Sequence, residues 1–480
     1  MNPSDLAAIA PELLLVVMGG VLILADAFFP AWRPRFGAVA ALSALAAIAV
    51  RWTGPLPGAV WSGALTVDPL ARFVDTYILA ALLLVATIAG PYLTRTRASY
   101  GEFYALLLWS AVGAMTLAKS DSLLVLFVGL ELLSISLYVL NAFHHDSRIS
   151  LEAGWKYLVV GAFASALLLF GIALLYGATG TFSLAQTARV VTATPLTGNP
   201  LALAGLALVL AGFGFKLALV PFHAWAPDVY QGSPTPVTAF LSVVPKGAML
   251  IAFARVVVAF APQSLSPKWL PLLATVAVAS QVLGNLVAIA QRDVKRMLAY
   301  SGIAHMGYAM VGVVAFGFDG LAGILVYLGA YTVMNIAAFA VVSAFSENEE
   351  EPHLITDLAG QGWQRPFLSF TLAVAMFSLA GIPPTVGFVA KFLVFRAAVN
   401  QGLAWLAVVG VLASFVSVFF YVRVVYYLYM KPLPQRAPAY TEPWSVRIVA
   451  GACALAIVGL GVFPNWLLTA AEAAAKALVR

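Results

Sequence analysis

Cysteine is almost absent from this 480-residue chain, and charge is scarce. The one cysteine, Cys453, lies in an apolar run, so it makes no internal disulfide and cannot by itself hold an iron–sulfur cluster. Charged residues form 10% of the sequence, against about 25% in a soluble domain, which excludes an ordinary soluble fold. No glycine-rich dinucleotide fingerprint is present, so nicotinamide chemistry is not expected in this chain. No Lys or Arg precedes the first apolar run, Leu6 to Phe29, and no small-residue cleavage site follows it; this run is expected to be a membrane helix rather than a cleaved signal peptide.

What is abundant is apolar sequence. Hydrophobic residues reach 62% and the mean hydropathy is +0.96, in runs that recur along the chain, each near the ~20 residues needed to cross the hydrocarbon core. The reading is one all-α polytopic membrane domain over residues 1–480, with about 14 transmembrane helices. An even number of spans puts both termini on one side. Arg33, Arg35, Arg95, Arg97, Arg148, Arg292, Lys295, Arg296, Arg365, Lys431, Arg436 and Arg447 then share the opposite face, which the positive-inside rule makes cytoplasmic. Arg51, Arg72, Lys119, Arg189, Lys268, Lys476 and Arg480 fall on the non-cytoplasmic side with the termini. The net charge of +6 is thus a matter of loops and lipid topology; the expected partner is the bilayer, not nucleic acid.

Two spans are interrupted by proline, the seventh near Pro221 and the twelfth near Pro383 and Pro384. Proline removes a backbone donor, and in lipid the freed carbonyls need protein or water partners. Breaks five spans apart suggest two inverted five-helix repeats, helices 4–8 over about 102–260 and helices 9–13 over about 270–430.

Glu131, Lys156, Lys216, Lys246, His305 and Lys391 sit within these apolar spans. A charge at mid-membrane costs about 2.5–3.5 kcal/mol on insertion scales, so each is a functional-site candidate. A free lysine titrates near pH ~10.4 and must fall by roughly two to four units to shuttle protons near neutrality, within the shift of about three to five that burial supplies. A bland reading stands beside each: snorkelling for the lysines, an interfacial charge for Lys156 beside Glu152, and a satisfied core histidine for His305. His223 has the reading of a group that serves the broken helix. Asp228, Asp293, Lys295 and Arg296 read as solvated charges at the cytoplasmic ends, and the acidic run Glu347 to Glu351 as an exposed loop.

The strings from Leu130 to Tyr138 (Leu-Glu-Leu-Leu-Ser-Ile-Ser-Leu-Tyr), Glu152 to Tyr157 (Glu-Ala-Gly-Trp-Lys-Tyr), Gly161 to Ala166, Pro221 to Tyr230 (Pro-Phe-His-Ala-Trp-Ala-Pro-Asp-Val-Tyr) and Arg296 to Tyr308 resemble the antiporter-like membrane subunits of bacterial complex I, the proton-pumping NADH:quinone oxidoreductase. The Pro-Phe-His-Ala-Trp-Ala-Pro-Asp string is shared with subunits L and M and with Mrp-type sodium/proton antiporters. The Leu-Glu-Leu-Leu-Ser context, the Glu-Ala-Gly-Trp-Lys-Tyr string, a lysine at 391 where subunit M usually has glutamate, and the short segment Asn465 to Arg480 after the last span point within that family to subunit N. The resemblance implies a proton relay through Glu131, Lys216, Lys246 and Lys391, with Lys156 and His305 as connecting groups. It also implies a non-redox role, with no cofactor held by this chain and NADH, FMN, iron–sulfur clusters and quinone in partner subunits. The implied setting is a bacterial inner membrane beside subunits M and L and the small subunits J and K. An Mrp-type antiporter subunit is the alternative reading.

Overall fold

The computed structural model describes residues 3–96, 98, 100–193, 199–260, 266–345, 354–433 and 442–479; the acidic run Glu347–Glu351 lies outside the described residues. Among them the N-terminal part comprises α1 (Pro3–Ala8), α2 (Ala10–Phe28), α3 (Phe36–Thr53), a short hairpin of β1 (Gly58–Val60) and β2 (Leu65–Val67), and α4 (Pro69–Arg95). There follow α5 (Gly101–Ala118), α6 (Leu123–Asn141), α7 (Arg148–Thr179), α8 (Leu184–Ala193), α9 (Pro200–Lys216), α10 (Trp225–Gly232) and α11 (Thr235–Phe260). The last third holds α12 (Ser266–Ala290), α13 (Val294–Ala315), α14 (Gly317–Ala344), α15 (Gln361–Gln364), α16 (Pro366–Ala380), α17 (Val386–Asn400), α18 (Ala404–Met430), α19 (Trp444–Val462) and α20 (Asn465–Val479).

Twelve of these helices are long and apolar enough to cross a bilayer, as expected where the backbone can bond only to itself. The two interrupted pairs, α9 with α10 and α16 with α17, fall at the prolines that the sequence marked. Side-chain caps fix several starts: Asp68 accepts from the Ala71 amide, Asn199 from Ala202 and Asp293 from Arg296, and proline stands in the first turn of α4, α9 and α16, where its missing donor costs nothing.

Packing is set by small residues. A Cβ at Gly113 of α5 would lie 2.3 Å from the Leu133 amide nitrogen on α6, and one at Gly307 of α13 would lie 2.8 Å from that of Gln281 on α12. Only glycine lets these backbones approach so closely. An isolated antiparallel bridge, Ser122 to Ser183, ties the loop before α6 to the loop after α7 at the hairpin end. A second, Asp293 to Leu354, ties the loop before α13 to the segment after α14 at the opposite end. The centre of the bundle is α11, α13 and α14: the most apolar window of α13 is 94% buried and that of α19 is 28%. A charge on α11 or α13 therefore has no lipid to snorkel through.

Arg51 and Lys119 were expected as outer-face charges, and both are buried. The Arg51 guanidinium lies 2.7 Å from Asp75 and 3.2 Å from Glu12, and Lys119 pairs with Asp75 at 3.0 Å and also with Glu12. Three of the groups come from α2, α3 and α4 and Lys119 directly follows α5; two cations face two carboxylates. Arg255 of α11 donates to the Ala118 carbonyl and pairs with Asp121 at 3.3 Å, so the N-terminal helices are fixed to the central one. Removing one member of a buried ionic group strands its partners at a cost of about 3–5 kcal/mol. Arg51→Ala is accordingly expected to lower the thermal midpoint of the solubilised protein sharply, with Glu12 and Asp75 left sharing Lys119; an unchanged midpoint would show the cluster to be energetically idle.

Candidate functional site

The first break begins with Lys216, the last residue of α9. Its ammonium donates to Ser134 Oγ at 2.8 Å and Tyr138 Oη at 3.2 Å, both on α6, and stands 5.4 Å from the ring of Tyr138 and 5.8 Å from that of Tyr157. Ala218 then takes a left-handed conformation, φ +54°, ahead of Pro221, and α10 resumes at Trp225, whose indole donates at 3.0 Å to the Phe215 carbonyl, which also accepts from the Ala218 amide at 2.9 Å. Glu131, one turn before Ser134, makes no ion pair with Lys216, and its Oε1 is buried without a hydrogen-bond partner among the described residues.

The second break is built alike. Gly381 has φ +87° and precedes Pro384 by three residues, as Ala218 precedes Pro221. Here the lysine comes from the second half-helix: Lys391 of α17 reaches back to the Leu379 carbonyl at 2.9 Å, the Ala380 carbonyl at 3.0 Å and Ser414 Oγ at 2.8 Å. These are carbonyls that the end of α16 leaves without helical donors. The ammonium also stands 4.9 Å from the Tyr308 ring.

Between the breaks lie Lys246 and His305. His305 of α13 bonds Tyr327 on α14 through Nδ1 at 2.7 Å and Tyr421 on α18 through Nε2 at 3.1 Å, and Tyr421 also meets Ser301 at 2.5 Å. Lys246 is 1% exposed; its Nζ lies 5.2 Å from the ring of Tyr230 and has no hydrogen-bond partner among the described residues. Lys216, Lys246, His305 and Lys391 thus occupy the buried interior against hydroxyls, carbonyls and aromatic faces, with no ion-paired carboxylate among the described residues. Aromatic faces attract cations by roughly 0.5–2 kcal/mol each without fixing the proton as an ion pair does.

Lys156 stands apart. Its side chain is 41% exposed and pairs with Glu152 and Asp228, each at 2.7 Å, while Asp228 also binds Arg296 at 2.5 Å. This network joins α7, α10 and α13 at the end opposite the hairpin. Two residues expected as solvated charges are not: Asp293 is buried and caps α13, and Lys295, 1% exposed, donates to the Ser233 carbonyl at 2.7 Å. They flank the first residue of α13, Asp293 as its cap and Lys295 just inside, where the end of α10 covers them through Gln231 and Ser233, a shielding invisible in sequence.

The tyrosines were missed. Tyr138, Tyr157, Tyr230, Tyr308, Tyr327, Tyr331 and Tyr421 line the buried lysines and the histidine. One signal was available: Glu131, Ser134 and Tyr138 recur at helical spacing and make a single polar stripe on α6.

This bundle, with a buried lysine at each of two broken helices, defines an antiporter-like membrane subunit. Residues 120–417 match the family described as NADH:quinone oxidoreductase/Mrp antiporter, TM. A curated relative, NADH-quinone oxidoreductase subunit N of Trichlorobacter lovleyi, is 41% identical, with 98% of this chain and 97% of the relative covered. A chain in the structure titled respiratory complex I from Thermus thermophilus with bound aureothin is 33% identical at a TM-score of 0.80, with 96% of this chain and 98% of that one covered. A chain of the Mrp complex from Dietzia sp. shares the fold, TM-score 0.85, at 22% identity, with 100% and 98% covered. The chain belongs to the NADH-quinone oxidoreductase subunit N family.

The glycine at the second break is open to test. A Cβ at Gly381 would stand 3.0 Å from Lys391 Cδ, and a left-handed conformation costs an L-residue about 1–2 kcal/mol. Gly381→Ala is expected to destabilise the solubilised protein by about that amount, read as a lower thermal midpoint; equal midpoints would contradict the geometry.

Proposed function

We propose that this chain is a membrane-arm subunit that carries protons across a bacterial inner membrane, driven by electron transfer from NADH to quinone in partner subunits. The observation that carries the reading is the set of buried cations, Lys216, Lys246 and Lys391, with no carboxylate paired to any of the three among the described residues. Such a lysine keeps a proton only where hydroxyls, carbonyls or water solvate it, and its charge state responds to small changes around it. In this reading Lys216, Lys246, His305 and Lys391 are the relay. Glu131 biases Lys216 by its charge, and the Lys156, Asp228 and Arg296 network sits at the cytoplasmic mouth.

The chain's role is non-redox: NADH, FMN, the iron–sulfur clusters and quinone belong to other subunits. Its neighbours are the antiporter-like subunits M and L and the small subunits J and K. Both termini face the non-cytoplasmic side, and fourteen crossings result when each interrupted pair is taken as one. Helices 4–8 and 9–13 form inverted repeats, a reading supported by the two bridges at opposite ends and by the left-handed residue three positions before a proline in each break. The Mrp-type exchange of sodium for protons is the second reading; the family model and the fold are common to both, and the full-length relative at 41% identity favours the first.

The test is Lys216→Ala in the whole complex, reconstituted in proteoliposomes with a lumenal pH dye. Positioned proton-transfer groups contribute about 10²–10⁴-fold, so proton uptake per NADH oxidised is expected to fall while the complex still assembles, as seen on a native gel stained for NADH dehydrogenase activity. An assembled variant with the full proton yield would overturn the relay.

A further inference from the structure

Where α9 ends, the amides of Leu217, Ala218 and Leu219 still bond back to the carbonyls of Phe213, Phe215 and Gly214, at 3.0, 2.9 and 2.8 Å. The next amide, that of Val220, crosses to another helix: it donates to Ser280 Oγ on α12 at 2.9 Å. Pro221 beside it has no donor to offer. Ser280 is fully buried, and its own proton goes to the Val276 carbonyl at 2.8 Å, so its oxygen is left as an acceptor that the Val220 amide fills. Toward the hairpin end, by contrast, α9 and α12 stand apart across an apolar cleft lined by Leu206 and Leu210 of the first and Leu270 and Leu273 of the second. On its other side α12 packs tightly on α13: a Cβ at Gly284 would lie 2.7 Å from the Ala304 amide nitrogen, next to His305. Asn285 of α12 donates to Tyr308 Oη at 2.7 Å, and the Tyr308 ring faces the Lys391 ammonium.

We propose that Ser280 is a positioning residue of the relay, whose hydroxyl holds the first break against the α12 and α13 pair and so keeps Lys216 in place relative to His305 and Lys391. This inference rests on the relay reading above. Ser280 acts through the Val220 backbone rather than on a lysine directly. Without its oxygen, a backbone donor at the break is left in apolar surroundings with no helical acceptor, and the segment shifts to find one. That segment leads straight into α10. Trp225 of α10 stacks on Tyr157, ring centroids 4.8 Å apart, and the Tyr157 ring stands 5.8 Å from the Lys216 ammonium. A displacement at Val220 therefore reaches Lys216 through two contacts. Because α12 opens the second of the two proposed repeats, this one bond lets the second repeat set the geometry of the break in the first.

The experiment compares Ser280→Ala, Ser280→Thr, Ser280→Val and Lys216→Ala, and Ser280→Ala combined with Lys216→Ala, in the whole reconstituted complex, scoring protons moved per NADH oxidised by assembled particles. Ser280→Ala is expected to lose about half or more of the yield that Lys216→Ala loses, since a misplacement of one ångström costs as much as about 10²-fold in a positioned reaction. Threonine and valine have the same shape, so their difference reports the hydroxyl alone. Ser280→Thr is expected to keep a yield close to that of the unaltered chain, and Ser280→Val to match Ser280→Ala. The combined variant is expected to pump no less than Lys216→Ala by itself, because Ser280 works through that lysine; a merely structural brace would add its own loss. Full yield in assembled Ser280→Ala, a threonine variant no better than valine, or an added loss in the combined variant would overturn the positioning role. Failure of both Ser280→Ala and Ser280→Val to assemble would assign the bond to folding and overturn it as well. Lys216→Ala separates the two levels. Its loss of pumping beside an unaffected Ser280→Ala sinks only the role of Ser280, whereas normal pumping in Lys216→Ala sinks the relay itself.

Discussion

A helix in hydrocarbon has no water to receive its backbone groups, so it can be interrupted only where protein or trapped water takes them up. This chain has two such interruptions. At the first, Trp225 takes the Phe215 carbonyl and Lys216 turns to Ser134 and Tyr138. At the second, Lys391 itself takes the carbonyls of Leu379 and Ala380. At the second break the lysine is therefore part of how the interruption is tolerated, while at the first it lies beside the break and takes its partners from α6.

The two buried charge systems have opposite character. Glu12, Arg51, Asp75 and Lys119 form a closed set of opposite charges that cancels within itself and fastens four helices. The central lysines have hydroxyls, carbonyls and ring faces in place of carboxylates. Tight ion pairing fixes a proton in place and suits a fastening, while neutral solvation leaves the charge state free to change and suits a relay. Under the proposed relay, the same lysine chemistry is put to two uses according to its partners.

Much of the fold was legible because hydrocarbon imposes a length and a polarity on every span, and Pro221, Pro383 and Pro384 mark the places where that length is broken. Lys216, Lys246, His305 and Lys391 stood out because each interrupts an apolar run. What the sequence concealed was partnership. Lys156 already reads as an interfacial charge beside Glu152, but its second partner, Asp228, comes from 72 positions away. Lys295 reads as solvated because its shielding comes from residues more than sixty positions away. Tyr331 and Tyr421 read as aromatic core, since a hydroxyl at the tip of an apolar ring carries no pattern until a buried lysine or histidine is placed against it.

The most direct test of the central claim, that the buried lysines form one hydrated line, is a high-resolution cryo-EM map of the intact complex in lipid nanodiscs. Ordered waters are expected from Lys216 through Lys246 and His305 to Lys391, with no carboxylate moving in to pair with Lys246. A dry gap along that line, or a structure in which Lys246 is locked to a carboxylate, would contradict the account.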